Sequence, residues 1–300
     1  MSEYLSNNSR EDIGRRILEL RKYFRMTQKD LCEGICTQAY ISKIENGSLA
    51  IAADILFMIA ERFGIDINYF YDSTYNLRAD YSLDVEILSR ELVQLDEYEE
   101  LEELIKREEK TPLMQNDKFR QFILWHKSLY LRYLYKDYEQ SLKLLNEALD
   151  LFQTSQKVKS EREVQILLNK GNLYVDIDDY DNAIKIYLEL LEAIKHIPTL
   201  TNKNLEIMIY VNLARTYTLI GQFKKSAELA EKGIFLNRKN HSMYGLGNLF
   251  FILARSHEEM QNFEEALENY RHSKYVLILT GNEKLAPKVQ VKIDEINQFT

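Results

Sequence analysis

Apolar residues recur along this chain at helical spacing. In residues 12–24 (DIGRRILELRKYF), Ile13, Ile17, Leu20 and Phe24 share one face, with Arg15, Arg16, Arg21 and Lys22 outside it. The spacing predicts a short amphipathic helix. A second helix should start at Thr27, whose hydroxyl can cap it, and run through Gln28 and Leu31. A third should start after Cys36 with Thr37 as its cap, turn Ile41 and Ile44 inward and stop at Gly47, a residue suited to a left-handed turn. Residues 53–63 (ADILFMIAERF) predict a fourth helix closed by Gly64, and Ile67 to Tyr71 a short fifth.

Beyond residue 82 the pattern becomes self-similar, at spacings of about 40 residues. Its anchors are the aromatics Tyr98, Tyr138, Tyr180, Phe223 and Phe263. Three residues after each stands Leu101, Ser141, Ala183, Ser226 or Ala266, small in four cases of the five. Nine residues before the last three anchors stand Gly171, Ala214 and Ala254, and six before them Tyr174, Tyr217 and His257. Small residues at fixed offsets let two helices approach closely, and an aromatic at the turn can fill the wedge between pairs, so each period reads as a helical hairpin. Residues Pro287 to Phe299 read as a terminal capping helix.

The expected architecture is therefore all-α: a helix-turn-helix unit over residues 10–71, a linker over residues 72–82 opening on the polar run DSTYNLRADY, and an array of about five hairpins over residues 83–300. Composition agrees. With 3 Pro and 10 Gly in 300 residues, the chain lacks the punctuation that many short strands require, and 45% hydrophobic content suffices for a core. Residues 1–10 lack the apolar run of a secretory signal and no segment reaches membrane-spanning length, so a cytoplasmic protein is expected. Cys32 and Cys36 then read as small thiols in a reducing compartment; a Cys-x-x-x-Cys without a second half is a poor metal motif.

Charge separates the two halves. The net charge is −8, yet residues 10–71 balance nine Lys/Arg against nine Asp/Glu, so the acidity belongs to the repeats and leaves the N-terminal unit free to approach phosphates. Two short helices joined by a tight turn, the second hiding Ile41 and Ile44 while exposing Gln38, Ala39, Ser42 and Lys43, have the form of a major-groove reader. The segment resembles the phage-repressor-like helix-turn-helix family through Gly14, Arg21, Thr27-Gln28, Leu31 and the run Ile41 to Gly47. Its turn between Leu31 and Ile41 is one residue shorter than the common pattern. Gln38 can pair bidentately with adenine, Lys43 can reach guanine or a phosphate, and Ala39 can lie against a thymine methyl. Gln28 and Asn46, at helix ends, suit phosphates, Tyr40 suits either purpose, and the cap Thr37 is counted with them among the DNA-binding candidates. A solvated helix face that touches nothing is the plain alternative for any one of these residues.

In a stack of hairpins the first helix of each pair lines the concave surface. Eleven residues before successive anchors stand Lys127, Asn169 and Asn212; eight before stand Tyr130, Asn172, Arg215 and Arg255; Asn248 lies one turn before Ile252. An asparagine carries both a donor and an acceptor, so a ladder of them can pair with the backbone of an extended peptide whatever its side chains. The same residues can instead cap helices or bond across the array, and the Tyr and Phe abundance reads as packing.

The repeats resemble tetratricopeptide repeats, most clearly in Leu168 to Ile194, Tyr210 to Leu236 and Phe250 to Leu277. Taken whole, the chain resembles the PlcR-type peptide-pheromone-responsive quorum-sensing transcriptional regulators, with TQKDLCEGICTQAYISKIENG (Thr27 to Gly47) as the closest stretch. The resemblance implies a right-handed superhelical array, a homodimer reading two half-sites of double-stranded DNA, and a short signalling peptide gripped through its backbone by Asn169 and Asn212, with Asn248 near another ligand contact. Where that type offers lysines to the ligand, just before Tyr98, this chain reads Gln94-Leu95-Asp96, so Lys127, Arg215 and Arg255 become candidates for charge pairing. The rival reading is an interaction scaffold whose repeats bind a protein partner. An enzyme is not expected: there is no Gly-rich phosphate loop, no metal-spaced His pair and no nucleophile motif, and no cofactor or metal is called for.

Overall fold

The computed structural model describes residues 2–71, 77–151, 159–197, 200–282 and 285–299, and every regular element among them is helical. The chain divides into two compact units, residues 1–87 and 88–300.

The first unit contains α1 (Ser2–Tyr23), α2 (Gln28–Cys32), α3 (Gln38–Glu45), α4 (Ala53–Phe63) and α5 (Asn68–Tyr71). Thr27 caps α2 in a reciprocal capping box with Asp30, and Thr37 caps α3 through the Tyr40 amide. Gly47 and Gly64 both sit at positive φ, where each chain segment leaves its helix. Ile17, Leu31, Ile41, Ile44, Leu56 and Ile59 close the core. Gly14 is what allows α1 to reach α3: a Cβ there would overlap the carbonyl of Ile44. Phe24, expected on the inward face of α1, lies beyond the end of that helix; it is 45% exposed and stacks on Phe63 at 5.7 Å.

Helix α6 (Leu77–Gln94) starts inside the segment expected as linker, and the division between the units falls within it. Residues 72–76 of that segment lie outside the described residues. Five of the remaining helices begin at the five aromatic anchors: α7 (Tyr98–Glu108), α9 (Tyr138–Asp150), α11 (Tyr180–Ala193), α13 (Phe223–Asn240) and α15 (Phe263–Leu279). The partners of the last four are α8 (Asp117–Tyr130), α10 (Glu161–Asp176), α12 (Leu205–Leu219) and α14 (Leu246–Glu259), α6 precedes α7 across the first hairpin turn, and α16 (Ala286–Phe299) covers the end of the stack against α15. First helices also touch along the stack, α10 with α12 and α12 with α14, as in tetratricopeptide arrays. The small residues after the anchors are buried, whereas among the anchors themselves only Tyr98 is; Phe263 is 42% exposed. Close approach, rather than an aromatic wedge, sets the hairpin geometry.

Each hairpin turn has the same closure. Two residues before every anchor the backbone enters the left-handed region, at Asp96, Lys136, Asp178, Gly221 and Gln261. The next amide then bonds back to the first helix: Glu97 to Leu92, Asp179 to Tyr174, Gln222 to Tyr217 and Asn262 to His257. In the second hairpin this bond runs from Asp137 to Leu131, one residue longer, because residues Leu131–Tyr135 form a π turn. The insertion shifts the register of α8 by one residue relative to the other first helices.

Candidate functional site

In the first unit, α3 presents Thr37, Gln38, Ala39, Lys43 and Asn46 to solvent, with Ser42 and Tyr40 half-buried. The outward face is organised by a half-buried ion pair. Arg21 donates Nε and Nη2 to the two carboxylate oxygens of Glu45 at 2.5 and 2.8 Å. Glu45 also accepts from Gln28 Nε2 at 2.8 Å, and Gln28 Oε1 accepts from Gln38 Nε2 at 2.7 Å. Burial pushes the Glu45 carboxyl up, but the bonds from Arg21 and Gln28 outweigh it and hold the group below its ordinary range.

Gln28 is thus drawn inward as a link between Glu45 and Gln38 rather than standing clear for a phosphate. The Tyr40 hydroxyl accepts from the Ala52 amide at 3.1 Å, and Asn46 Oδ1 accepts from the Ser48 amide at 3.1 Å, so both tie down the chain after α3. The Ala39, Ser42 and Lys43 side chains make no hydrogen bond or ion pair with the described residues.

In the second unit, a cavity of about 540 Å³ opens between α12, α14 and α16. Asn212 and Arg215 enter it from α12, and Asn248 and Arg255 from α14, four residues named from the sequence alone. Phe251, Ile252, Leu219 and Val289 make its apolar walls, and Lys288 on α16 adds a third cation. Among the described residues no carboxylate lines the cavity; Arg255 has Glu259 only at 4.0 Å along its own exposed helix face. Such a site suits a ligand with apolar side chains, backbone amides and negative charge.

The other four candidates fall elsewhere. Asn172 accepts the Tyr187 hydroxyl through Oδ1 at 2.7 Å and lines a smaller adjoining pocket that shares Asn212 and Arg215 with the large cavity. Burial raises the Tyr187 hydroxyl well above its ordinary range, so it stays protonated as that donor. Asn169 donates to the carbonyl of Gln165 one turn back on α10 and lines neither space.

Lys127 and Tyr130 line neither space. Lys127 pairs with Glu109 at 2.6 Å and Tyr130 is 3% exposed. The π insertion explains both. Ser141 Oγ bonds the carbonyl of Ser128 just as Ser226 Oγ bonds that of Ala214, so Ser128 corresponds to Ala214 and His126, not Lys127, corresponds to Asn212. The sequence reading passed over Phe251, on a first helix, because only recurring polar side chains were sought there, and Lys288 because counting back from anchors surveys only first helices. Arg132, inside the π turn, was hidden by the same insertion.

A helix-turn-helix unit joined to a stack of tetratricopeptide-like hairpins defines the class of molecule. Residues 17–70 match the helix-turn-helix family model and residues 85–292 match the model for the RNPP family C-terminal domain. The chain belongs to the RNPP family. Among solved structures it is similar to PlcR of Bacillus thuringiensis in complex with the peptide PapR7 and DNA, at 21% identity over 93% of this chain and 99% of that one, with a TM-score of 0.79. It is also similar to the apo form of that protein, at a TM-score of 0.67 and 21% identity over 94% and 99% of the two chains. ComR from S. thermophilus, in complex with DNA and its signalling peptide ComS, follows at 0.58 and 14% identity over 95% and 99%. Mitochondrial import receptor subunit TOM70 of Rattus norvegicus is 31% identical over 115 residues, 38% of this chain. The chain spans about a sixth, 17%, of the length of that curated relative. No helix among the described residues is long and apolar enough to cross a membrane.

Proposed function

We propose that this protein is a sequence-specific DNA-binding transcriptional regulator, not an enzyme, whose repeat array senses a short signalling peptide. The observation that carries the reading is the convergence of Asn212, Arg215, Asn248 and Arg255, from corresponding faces of two first helices, on one apolar cavity. Amide side chains there serve the backbone of an extended guest, and the cavity walls serve its side chains. Neighbours of the same fold are described in complex with a peptide and DNA, which supports the reading.

On the DNA side, α3 enters the major groove with Gln38, Ala39 and Lys43 toward base edges, while Thr37, Ser42, Asn46 and Tyr40 support or contact the backbone. Gln28 acts by orienting Gln38. The protein acts as a homodimer over two half-sites, with residues 10–71 reading DNA, residues 72–82 as the link and residues 83–300 sensing. A peptide that prefers one arrangement of the array shifts DNA affinity by that preference, and DNA shifts peptide affinity equally.

The test is mass spectrometry of peptides that co-purify with the full chain from its native cell, followed by titration of those peptides into chain bound to selected duplex DNA. A recurrent short peptide that alters duplex affinity is the expected result. Binding to duplex with no co-purifying peptide and no peptide response would leave a DNA-binding protein and sink the sensing half; failure to bind any duplex at low salt would sink the other and favour a scaffold.

A further inference from the structure

Arg132 occupies the π turn that follows α8 and is 7% exposed. Its Nε donates to Asp176 Oδ2 at 2.5 Å, Nη2 lies 3.4 Å from the Asn172 carbonyl, and the guanidinium sits over the Tyr133 ring. The remaining nitrogen, Nη1, is buried with no hydrogen-bond partner among the described residues. The residue borders a pocket of about 10 Å³ with Asn172, Tyr187, Asn212 and Arg215, room for one oxygen-sized atom.

The chemistry of that pocket is one-sided. The Tyr187 hydroxyl is spent on Asn172 Oδ1, which leaves the Asn172 Nδ2 hydrogens as donors. Arg132 and Arg215 bring two guanidinium groups, and Asp176 engages only the Nε edge of the first. Its remaining acceptors are the neutral oxygens of Asn212, Thr216 and Tyr187, so what the pocket lacks is an anionic acceptor, and the one that matches a guanidinium fork is a carboxylate. Asn212 and Arg215 also line the 540 Å³ apolar cavity, so one ligand can reach both places.

We infer that Arg132, with Arg215, anchors a carboxylate of the sensed peptide, and that the peptide carries this carboxylate close to a bulky apolar side chain seated against Phe251 and Ile252. This rests on the peptide-sensing reading above. The carboxylate is either the C-terminus or an Asp or Glu side chain, and the two offer the same oxygens to the fork.

The experiment is affinity selection on the full chain from a randomised heptapeptide library, half with free C-termini and half amidated, with retained peptides sequenced by mass spectrometry. Retained peptides should be enriched in apolar residues and should carry a carboxylate. Enrichment confined to free C-termini assigns the terminus, whereas Asp or Glu fixed at one position in both halves assigns a side chain. Arg132→Gln should weaken carboxylate-bearing peptides about 10- to 100-fold, the scale of a charge-assisted pair, while leaving the apolar preference in place. If Arg132→Gln does not fold, the exposed Arg215→Gln carries the same expectation. Retained peptides no richer in carboxylates than the library would overturn the anchor and leave peptide sensing standing. A library from which nothing is retained overturns both.

Discussion

Gln38, at the first turn of α3, donates its side-chain amide to Gln28 Oε1 at 2.7 Å, and Gln28 in turn donates to Glu45. The residue proposed to read a base is therefore held by one that links back to Glu45, and its amide is already engaged in the free protein. Preorganisation of this kind reduces the ordering cost of binding.

Two substitutions should separate reading from holding. Gln38→Ala removes the bidentate donor and acceptor, so discrimination at one base pair should fall by about 1–3 kcal/mol. Gln28→Ala leaves Gln38 in place but frees its rotamer, and should blunt discrimination at that same base pair by a smaller amount. Anisotropy titrations on a selected duplex and its single-base variants measure both; equal losses on selected and random duplexes for Gln38→Ala would show that it touches only the backbone.

The Arg21–Glu45 pair gives the N-terminal unit a pH dependence. Because the folded Glu45 carboxyl lies below its ordinary value, the stability it contributes is present above the unfolded pKa and is lost as pH falls through the folded one. Acidification below about pH 4.3, the unperturbed Glu value, should destabilise this unit. Glu45→Gln should lower stability at neutral pH and remove that acid step, readable as the fall in denaturation midpoint between pH 7 and pH 3. An unchanged acid step in Glu45→Gln would mean that other carboxylates carry it.

His126 predicts a second acid response, now in the repeats. Its ring is fully buried, stacks on Phe122 at 3.8 Å between centroids, and donates Nδ1–H to the Phe122 carbonyl at 2.9 Å. Burial holds its pKa down at about 3. The unfolded chain takes up a proton near pH 6.5 that the folded chain refuses, so stability should fall with acidification from there by up to ~1.4 kcal/mol per pH unit. Denaturant titrations of His126→Phe should show a flatter slope between pH 6.5 and pH 4; a slope identical to the parent's would place the proton uptake elsewhere.

The anchors Tyr98, Tyr138, Tyr180, Phe223 and Phe263 gave away the hairpins because a small residue must follow at the close contact, and that requirement repeats at one offset. The same offsets pointed to Asn212, Arg215 and Arg255, with Asn248 one turn before Ile252, and all four line the cavity. Counting by offset missed His126 and misplaced Lys127 because a one-residue π insertion leaves anchor spacing looking ordinary while turning every upstream side chain by about 100°. It could not tell Asn169 from Asn212: at equal offsets, one bonds its own helix and the other faces a cavity, a choice made by what packs opposite. Nor did it see the left-handed residue two before each anchor, since four of the five are not glycine.

Gly171 tests how tightly the proposed sensing surface depends on that close approach. A Cβ at this position would lie 2.5 Å from Cε1 of Tyr187, a ring with no measurable exposure. Gly171→Ala therefore gains helix propensity on α10 yet forces either the ring or the helix to move, and overpacking of this kind costs about 1–3 kcal/mol. The hydroxyl of that ring holds Asn172, so the shift should also disturb the pocket shared with Asn212 and Arg215. A lower urea midpoint together with weakened peptide retention is the expected result; adding Tyr187→Phe should restore neither, because Phe keeps the clashing carbon, whereas Tyr187→Leu combined with Gly171→Ala should recover stability but not retention. Recovery of both in that double variant would separate the pocket from the Tyr187–Asn172 bond.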